Sequence, residues 1–310
     1  MAFNTCMELA VNYSTVTGEL VREGIIQVDR HKCPAWPDLI HTLQNGGGIR
    51  QPLHVHFPLL VGTGRGYPIS TETNEAPDWD IIEALLSETG TGWVSAHMGP
   101  RPEDHPGLVD RPWEEQVAVI TEALIGDLEP LVARFGRENV VAENIFEYFG
   151  MHLRPAVLPE VISYVVNTVG CDLLLDLSHA RLAARGLGVD ERAYIDALPV
   201  ARLREIHVTG VQRFDAFWIN RLEAVGLSVE AYGARRDEWI DHLPMTDNDW
   251  AFLSWALSRI RDGVWRTPEV IAFEYGGIGP SFEALTIREV MAEQVPRLFR
   301  MVHERQLPGD

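Results

Sequence analysis

Cysteine is scarce in this chain. Cys6, Cys33 and Cys171 are the three in 310 residues, far apart and without a Cys-x-x-Cys pair. Their odd number and wide spacing suit a reducing cytoplasm better than a disulfide framework. Long apolar runs are missing too. None approaches the roughly 20 residues of a membrane helix, and the opening MAFNTCMELAV has neither the basic start nor the long apolar stretch of a secretory signal. A cytoplasmic location without membrane contact is therefore expected. Positive charge is also in short supply: 26 Lys and Arg stand against 45 Asp and Glu, a formal net charge of −19. Such a surface repels phosphate backbones, which argues against nucleic acid as a partner. The acidity reads either as a soluble surface or as internal carboxylates whose charge bound cations would offset. Common catalytic signatures are lacking as well: no Gly-x-Ser-x-Gly, no phosphate-binding loop ending in Gly-Lys-Ser/Thr and no His-Glu-x-x-His. GTGRG at 62–66 lacks the strand–helix setting of a dinucleotide fingerprint and reads as a loop.

What the chain does have is alternation. Strand-like runs fall at Cys6–Asn12, Leu53–Leu60, Trp93–Met98, Val140–Ile145, Cys171–Asp176, Leu203–Thr209 and Val270–Tyr275. Helical patterns lie at 79–89, 113–135, 158–168, 189–197, 248–261 and 285–304. Near-continuous apolar strands separated by amphipathic helices indicate parallel βα units. The Gly/Pro-rich stretches Gly46–Gly48 and Gly99–Pro106 read as loops at strand ends. No linker divides the chain, and the expectation is one α/β domain, a (β/α)8 TIM-type barrel. Segment 211–246 is the least regular. Its Arg213, Trp218, Arg221, Tyr232, Arg235 and Arg236 mark either a lid over an active site or a surface excursion packed by aromatics.

Ligand-type residues recur at the strand ends: His56, His97, Glu143, Asp176, His207, the Asp241–His242 pair and Glu274. Their spacing is close to the roughly 31 residues per unit of a 250-residue (β/α)8 barrel. In such a barrel the strand ends converge on one mouth. His179 follows Asp176 by three positions, on the next loop or first helical turn. Each residue alone has a plainer reading. His207 is a core histidine, Glu143 and Asp176 are helix caps, His97 faces a loop and His242 sits in a turn. His54 and His56 share one face of their strand, so the strand does not say which of them is the ligand. Coincidence repeated at six or seven strand ends explains the set poorly. Imidazoles and carboxylates together suit Zn, Mn or Fe, and their number suits two or three ions sharing carboxylates.

These stretches resemble a known family, the multinuclear non-heme iron-dependent oxidative enzymes that include the methanobactin-biosynthesis B-type proteins. The most specific is LLLDLSHARLAARGLGVDERAYIDALPVARLREIHVTG, residues 173–210. Family members carry a similar run with D-V-N-N, Y-L-D-A-L-P and E-I-H-L-A-G-H. PLHVHFPLLVG, SAHMGP, ENIFEY, DHLPMTDNDWAFL and IAFEYGG extend the likeness over roughly residues 50–295. The resemblance implies a TIM-type barrel holding two or three iron ions. It implies O2-dependent modification of a residue, often cysteine, in a ribosomally made peptide, in many members with a partner protein that presents the peptide. The ligands would be His56, His97, Glu143, Asp176, His207, Asp241, His242 and Glu274. Glu143 would be a bridge; Glu143, Asp176 and His207 would form the catalytic centre, and Asn144 would support it.

This chain departs from that pattern within the metal shell. The family's D-V-N-N is Asp176-Leu177-Ser178-His179 here, so His179 is the candidate in place of an amide ligand. Val211 replaces the second histidine of H-L-A-G-H, the D-x-H spacing contracts to adjacent Asp241 and His242, and Tyr275 replaces a tryptophan. Asp-x-x-His also occurs in xylose-isomerase-like barrels, including the endonuclease IV type. The alternative reading is therefore a redox-neutral isomerase, epimerase or hydrolase using Mn or Zn on a free small molecule. A non-enzymatic binding module fits a complete ligand set poorly.

Overall fold

The computed structural model describes residues 7–46 and 49–303. Cys6 of the first expected strand, Gly47 and Gly48 of the expected loop, and residue 304 of the last expected helix lie outside the described residues. The strands are β1 (Glu8–Asn12), β2 (Arg30–Pro34), β3 (Leu53–His56), β4 (Leu59–Val61), β5 (Ile69–Ser70), β6 (Val94–Met98), β7 (Val140–Glu143), β8 (Asp172–Asp176), β9 (Leu203–Val208), β10 (Gly210–Arg213), β11 (Trp239–Leu243) and β12 (Val270–Phe273). Ten of them form one sheet in the order β3-β2-β1-β12-β9-β8-β7-β6-β4-β5. Its pairings are parallel except that of the short β5 with β4.

The two ends of this sheet are one piece of chain. β3 pairs with β2 and β4 pairs with β6, and only Phe57 and Pro58 separate β3 from β4. Side chains complete the closure. The Val55 amide donates to Thr91 Oγ1 at 2.9 Å and the Phe57 amide donates to Ser95 Oγ at 3.0 Å. The sheet thus curls into the expected α/β TIM-type barrel, a single domain.

The strand period of two sorts the side chains. Ala10, Trp93, Val141, Leu174, Val270 and Ala272 pack together inside the barrel. Their neighbours Leu9, Val11, Leu173, Leu175, Ile271 and Phe273 belong to the outer core, between sheet and helices. Two residues beyond Val141, Leu174 and Ala272 come Glu143, Asp176 and Glu274, so the same inner face turns from apolar to ionisable at the mouth. Register aligns His97 with Glu143 and Asp176 with His207 across neighbouring strands.

Eleven α-helices are assigned among the described residues: α1 (Thr15–Arg22), α2 (Pro37–Asn45), α3 (Trp79–Thr89), α4 (Trp113–Phe135), α5 (Pro159–Val169), α6 (Leu177–Leu187), α7 (Glu191–Asp196), α8 (Ala216–Glu223), α9 (Asp247–Arg261), α10 (Pro280–Leu285) and α11 (Arg288–His303). GTGRG wraps a carboxylate from α4: the amides of Gly62, Thr63, Gly64 and Gly66 all donate to Asp127 at 2.7–3.2 Å, as does the Thr63 hydroxyl.

The spacing places Asp241–His242 at the end of a barrel strand, and here the structure differs. They lie on β11, which pairs antiparallel with β10 in a separate two-stranded ribbon. The barrel strand that the apolar pattern misses is β2, whose sequence RHKCP is polar and short. The 211–246 segment is ordered around its own apolar cluster, including Phe214, Trp218, Leu222, Val229, Ile240 and Leu243. The ribbon meets the barrel closely at Gly210, where a Cβ would stand 1.8 Å from the Pro244 carbonyl oxygen.

Candidate metal centre

All nine candidate ligands converge at the mouth, in overlapping groups whose ligand atoms lie within 4.8 Å of one another. One group is His56, His97 and Glu143. Glu143 Oε2 lies 3.5 Å from His56 Nε2 and 3.3 Å from His97 Nε2, and the two imidazole nitrogens are 3.2 Å apart. A second group is His179, Asp241 and His242. Asp241 Oδ2 lies 3.0 Å from His179 Nε2 and 3.7 Å from His242 Nε2. Between them, Asp176, His207 and Glu274 form a third, with His207 Nδ1 3.3 Å from Glu274 Oε1. Glu143 spans the set: its Oε1 lies 3.5 Å from His179 Nδ1 and 3.7 Å from His207 Nδ1.

The imidazoles are aimed by their far nitrogens. His97, His179 and His242 place Nδ1 on the carbonyls of Leu59, Asn144 and Glu274 at 3.0, 2.9 and 3.1 Å. Only an N–H can satisfy a carbonyl, so in each neutral ring Nε2 carries the lone pair and faces the centre. His207 has the opposite arrangement, with Nε2 on Glu205 Oε1 at 2.9 Å and Nδ1 facing inward. Glu205 also holds His54 at 3.0 Å and the Trp93 indole at 2.8 Å. This separates the two histidines of β3: His54 serves the layer beneath, and His56 faces the mouth.

Asp176 uses its two carboxylate oxygens differently. Its Oδ1 caps α6, accepting the amides of Ser178 and His179 at 2.7 and 2.8 Å. Its Oδ2 is buried without a hydrogen-bond partner, and so are Glu143 Oε2, His207 Nδ1 and Asp241 Oδ2. Buried polar atoms are almost always satisfied. Four orphaned ligand atoms turned into one space fit a site for metal ions. The donors are nitrogen and carboxylate oxygen, suited to iron, manganese or zinc.

The electrostatics agree. Burial pushes the Asp176 carboxyl up to about 7, helped by Glu274, Asp241 and Glu143, although His179 opposes the shift. Burial also works against the Glu143 carboxylate, but His97, His207 and His56 outweigh it and hold it well below the usual range. Burial, reinforced by Lys32, keeps the His56 imidazole neutral far below its ordinary value.

Lys32 and Glu205 contact the candidate ligands and Trp93 bonds to Glu205, and the strand-end reasoning misses all three. Lys32 extends from β2 into the barrel and forms a buried ion pair with Glu274 Oε1. A signal for it exists, because it is the only lysine in the chain.

Two adjoining clefts open over the centre. One of about 280 Å³ is lined by Asn12, Tyr13, Trp36 and ligand residues. The other, about 500 Å³, is lined by Ile145, Phe146, Tyr148, Tyr232 and Ile240, and both include His97, His179, His242 and Phe282. Of the six residues singled out in segment 211–246, Tyr232 lines the larger cleft. Trp218 is buried in the segment's own cluster, and Arg213, Arg221 and Arg235 bind the carbonyls of Asp237, Ala284 and Phe149.

Residues 70–224 match the model of a family described as RiPP precursor modification enzyme MbnB/TglH/ChrH. A UPF0276 protein of Acaryochloris marina is 28% identical over 193 residues, 59% of this chain and 67% of that protein. A UPF0276 protein of Caulobacter vibrioides is 26% identical over 167 residues, 52% of this chain and 55% of that one. The matches thus span about half to two thirds of these curated relatives' lengths. A solved structure described as a D-tagatose 3-epimerase-like protein aligns with 97% of this chain and 100% of its own, at a TM-score of 0.50 and 13% identity, a likeness of fold. The family match holds His97, Glu143, Asp176, His179 and His207, five of the nine converging groups, within half of the chain. The chain therefore belongs to the MbnB/TglH/ChrH family of RiPP precursor modification enzymes, on a TIM-type barrel.

Proposed function

We propose that this chain is an O2-dependent oxidase that holds two or three iron ions and modifies a residue, cysteine foremost, of a ribosomally made peptide. The observation that carries the metal reading is the set of orphaned buried atoms on Glu143, Asp176, His207 and Asp241. The family match supports a peptide substrate. His56, His97 and Glu143 would hold one ion, and His179, Asp241 and His242 another. Asp176, His207 and Glu274 lie between them, and Glu143 is placed to bridge. Bound iron would supply O2 reduction and a Lewis-acidic anchor for a soft or anionic substrate atom. The chain's own part is to aim the imidazoles through backbone carbonyls and to keep water from the deep side of the centre with the apolar barrel layer. It also offers the substrate an aromatic wall of Phe146, Tyr148, Tyr232 and Phe282. The connection between β10 and β11, which carries Tyr232, acts as the lid of this wall, and a peptide-presenting partner protein would dock beside it. Cys33 and Cys171 are free buried thiols, in keeping with a cytoplasmic site of action. Among the described residues no helix is long and apolar enough to cross a membrane.

The test is elemental analysis of anaerobically purified protein, with Glu143→Ala as control, followed by O2 uptake with candidate peptides. Two or three irons per chain, lost in the variant, support the reading. Zinc or manganese with activity under anaerobic conditions moves the assignment to a redox-neutral isomerase or hydrolase. Protein that takes up no metal overturns the shared centre.

A further inference from the structure

Lys32 is the only lysine among 310 residues; every other cationic side chain of the Lys/Arg type is arginine. That single lysine is 4% exposed and sits inside the barrel. Its ammonium pairs with Glu274 Oε1, the same oxygen that lies 3.3 Å from His207 Nδ1. The ammonium and the inward-facing imidazole nitrogen therefore meet at one carboxylate oxygen. Glu274 and His207 both belong to the Asp176, His207 and Glu274 group, the middle one of the centre.

We infer that the Lys32 ammonium stands in the place of a third metal ion, so that this chain carries two. The inference rests on the metal reading above and sharpens its count. Charge argues for it. Glu143, Asp176, Glu205, Asp241 and Glu274 are five carboxylates buried in and around the centre. One ammonium and two divalent ions match them, whereas a third divalent ion leaves two positive charges unmatched in a barrel interior. Unmatched buried charge is among the costliest features a protein can carry. Shape argues for it too. An ammonium is a compact point charge with three donors, close to a small hydrated cation in demand, whereas the planar guanidinium used elsewhere in this chain needs a broader slot. Orphaned atoms occur in all three groups, but only the middle one, with Asp176 Oδ2 and His207 Nδ1, includes the carboxylate that Lys32 pairs with; the outer ones are Glu143 Oε2 beside His56 and His97, and Asp241 Oδ2 beside His179 and His242. No lysine or arginine ion pair involves either of those two atoms among the described residues.

The experiment is a metal count. Metal-free protein is loaded anaerobically with excess ferrous iron, freed of unbound metal by gel filtration, and analysed for iron per chain. Wild type is compared with Lys32→Met, which keeps the stem and removes the charge. Two irons in wild type and three in the variant are expected. Lys32→Gln repeats the measurement where the methionine variant does not fold, as judged by circular dichroism. Three irons in wild type, or equal counts in wild type and a folded variant, overturn the inference and leave the metal reading standing. No iron in any of them overturns the metal reading itself.

Discussion

Asn144 and Asp176 hold each other by a reciprocal pair of hydrogen bonds. Asn144 Oδ1 accepts the Asp176 amide at 2.9 Å, and Asn144 Nδ2 donates to the Asp176 carbonyl at 3.0 Å. The same residue's carbonyl orients His179. One side chain thus ties the ends of β7 and β8 together at the point where two ligands emerge.

Asn144→Ala leaves the Asp176 backbone groups unsatisfied in a buried site. A loss of about 2 kcal/mol is expected, with a drop in metal affinity of roughly 10- to 100-fold, typical when groups that orient ligands are removed. Denaturant midpoints and metal titration of the same variant check this. Unchanged metal affinity would show that the pair is only structural.

In the metal-free protein the stability supplied by Asp176 and His179 is expected to fall as pH rises. Burial, with Glu274, Asp241 and Glu143, raises Asp176 to about 7. An unfolded aspartate titrates near 4, so from roughly pH 4 to 7 the folded state binds more protons at this position than the unfolded chain. Stability from this group therefore falls across that window. Burial opposes the charge on His179, but Asp176 and Asp241 outweigh it and hold the imidazolium well above its ordinary range. Its contribution is complete at acid pH and is lost as pH climbs through the raised value. Burial pushes His31, His56 and His152 below their ordinary value, and these act with the opposite sign, so the reading is a difference: melting in the presence of a chelator should show the Tm of wild type falling relative to that of Asp176→Asn from pH 5.5 to 8. A difference that grows in favour of wild type over this range contradicts the prediction.

Asp127 gathers four backbone amides and a hydroxyl from the loop 62–66. Asp127→Ala should cost about 3 kcal/mol, because those donors lose a charged acceptor. For a chain of this size that corresponds to a Tm lower by roughly 5 °C. Iron content per folded chain should stay at the wild-type value, since Asp127 is outside the ligand groups. Loss of metal together with stability would tie the loop to the centre.

Gly210→Ala drives a methyl into the Pro244 carbonyl. The ribbon must then shift, displacing Asp241 and His242 on β11. The expected outcome is loss of about one metal ion per chain with the barrel still folded, read by elemental analysis alongside circular dichroism. Retention of full metal content would separate the ribbon from the centre.

Much of this was legible in the residues. Apolar strands give β7, β8, β9 and β12 because their outward faces meet helices and their inward faces meet each other. Glu143, Asp176, His207 and Glu274 are readable because each ends such a run. β2 is not, since RHKCP carries Lys32 inward at the mouth and has no apolar stretch to announce it. Asp241 and His242 are readable as members of the candidate ligand groups but not as ribbon residues. Their spacing mimics a barrel unit, whereas β11 pairs with β10 through contacts that only the folded chain defines. The arginines of segment 211–246 mislead because a guanidinium in sequence does not reveal whether it faces a cleft or a backbone carbonyl.

The barrel's closure has one more consequence. The two ends of the sheet meet where β3 passes into β4, and hydroxyls of Thr91 and Ser95 bridge part of that junction. His56 stands on one side of the junction and His97 on the other. Whatever binds both works as a clasp on an otherwise laced ring. Occupancy and circularity of the barrel are thus thermodynamically linked, and tightening either one tightens the other.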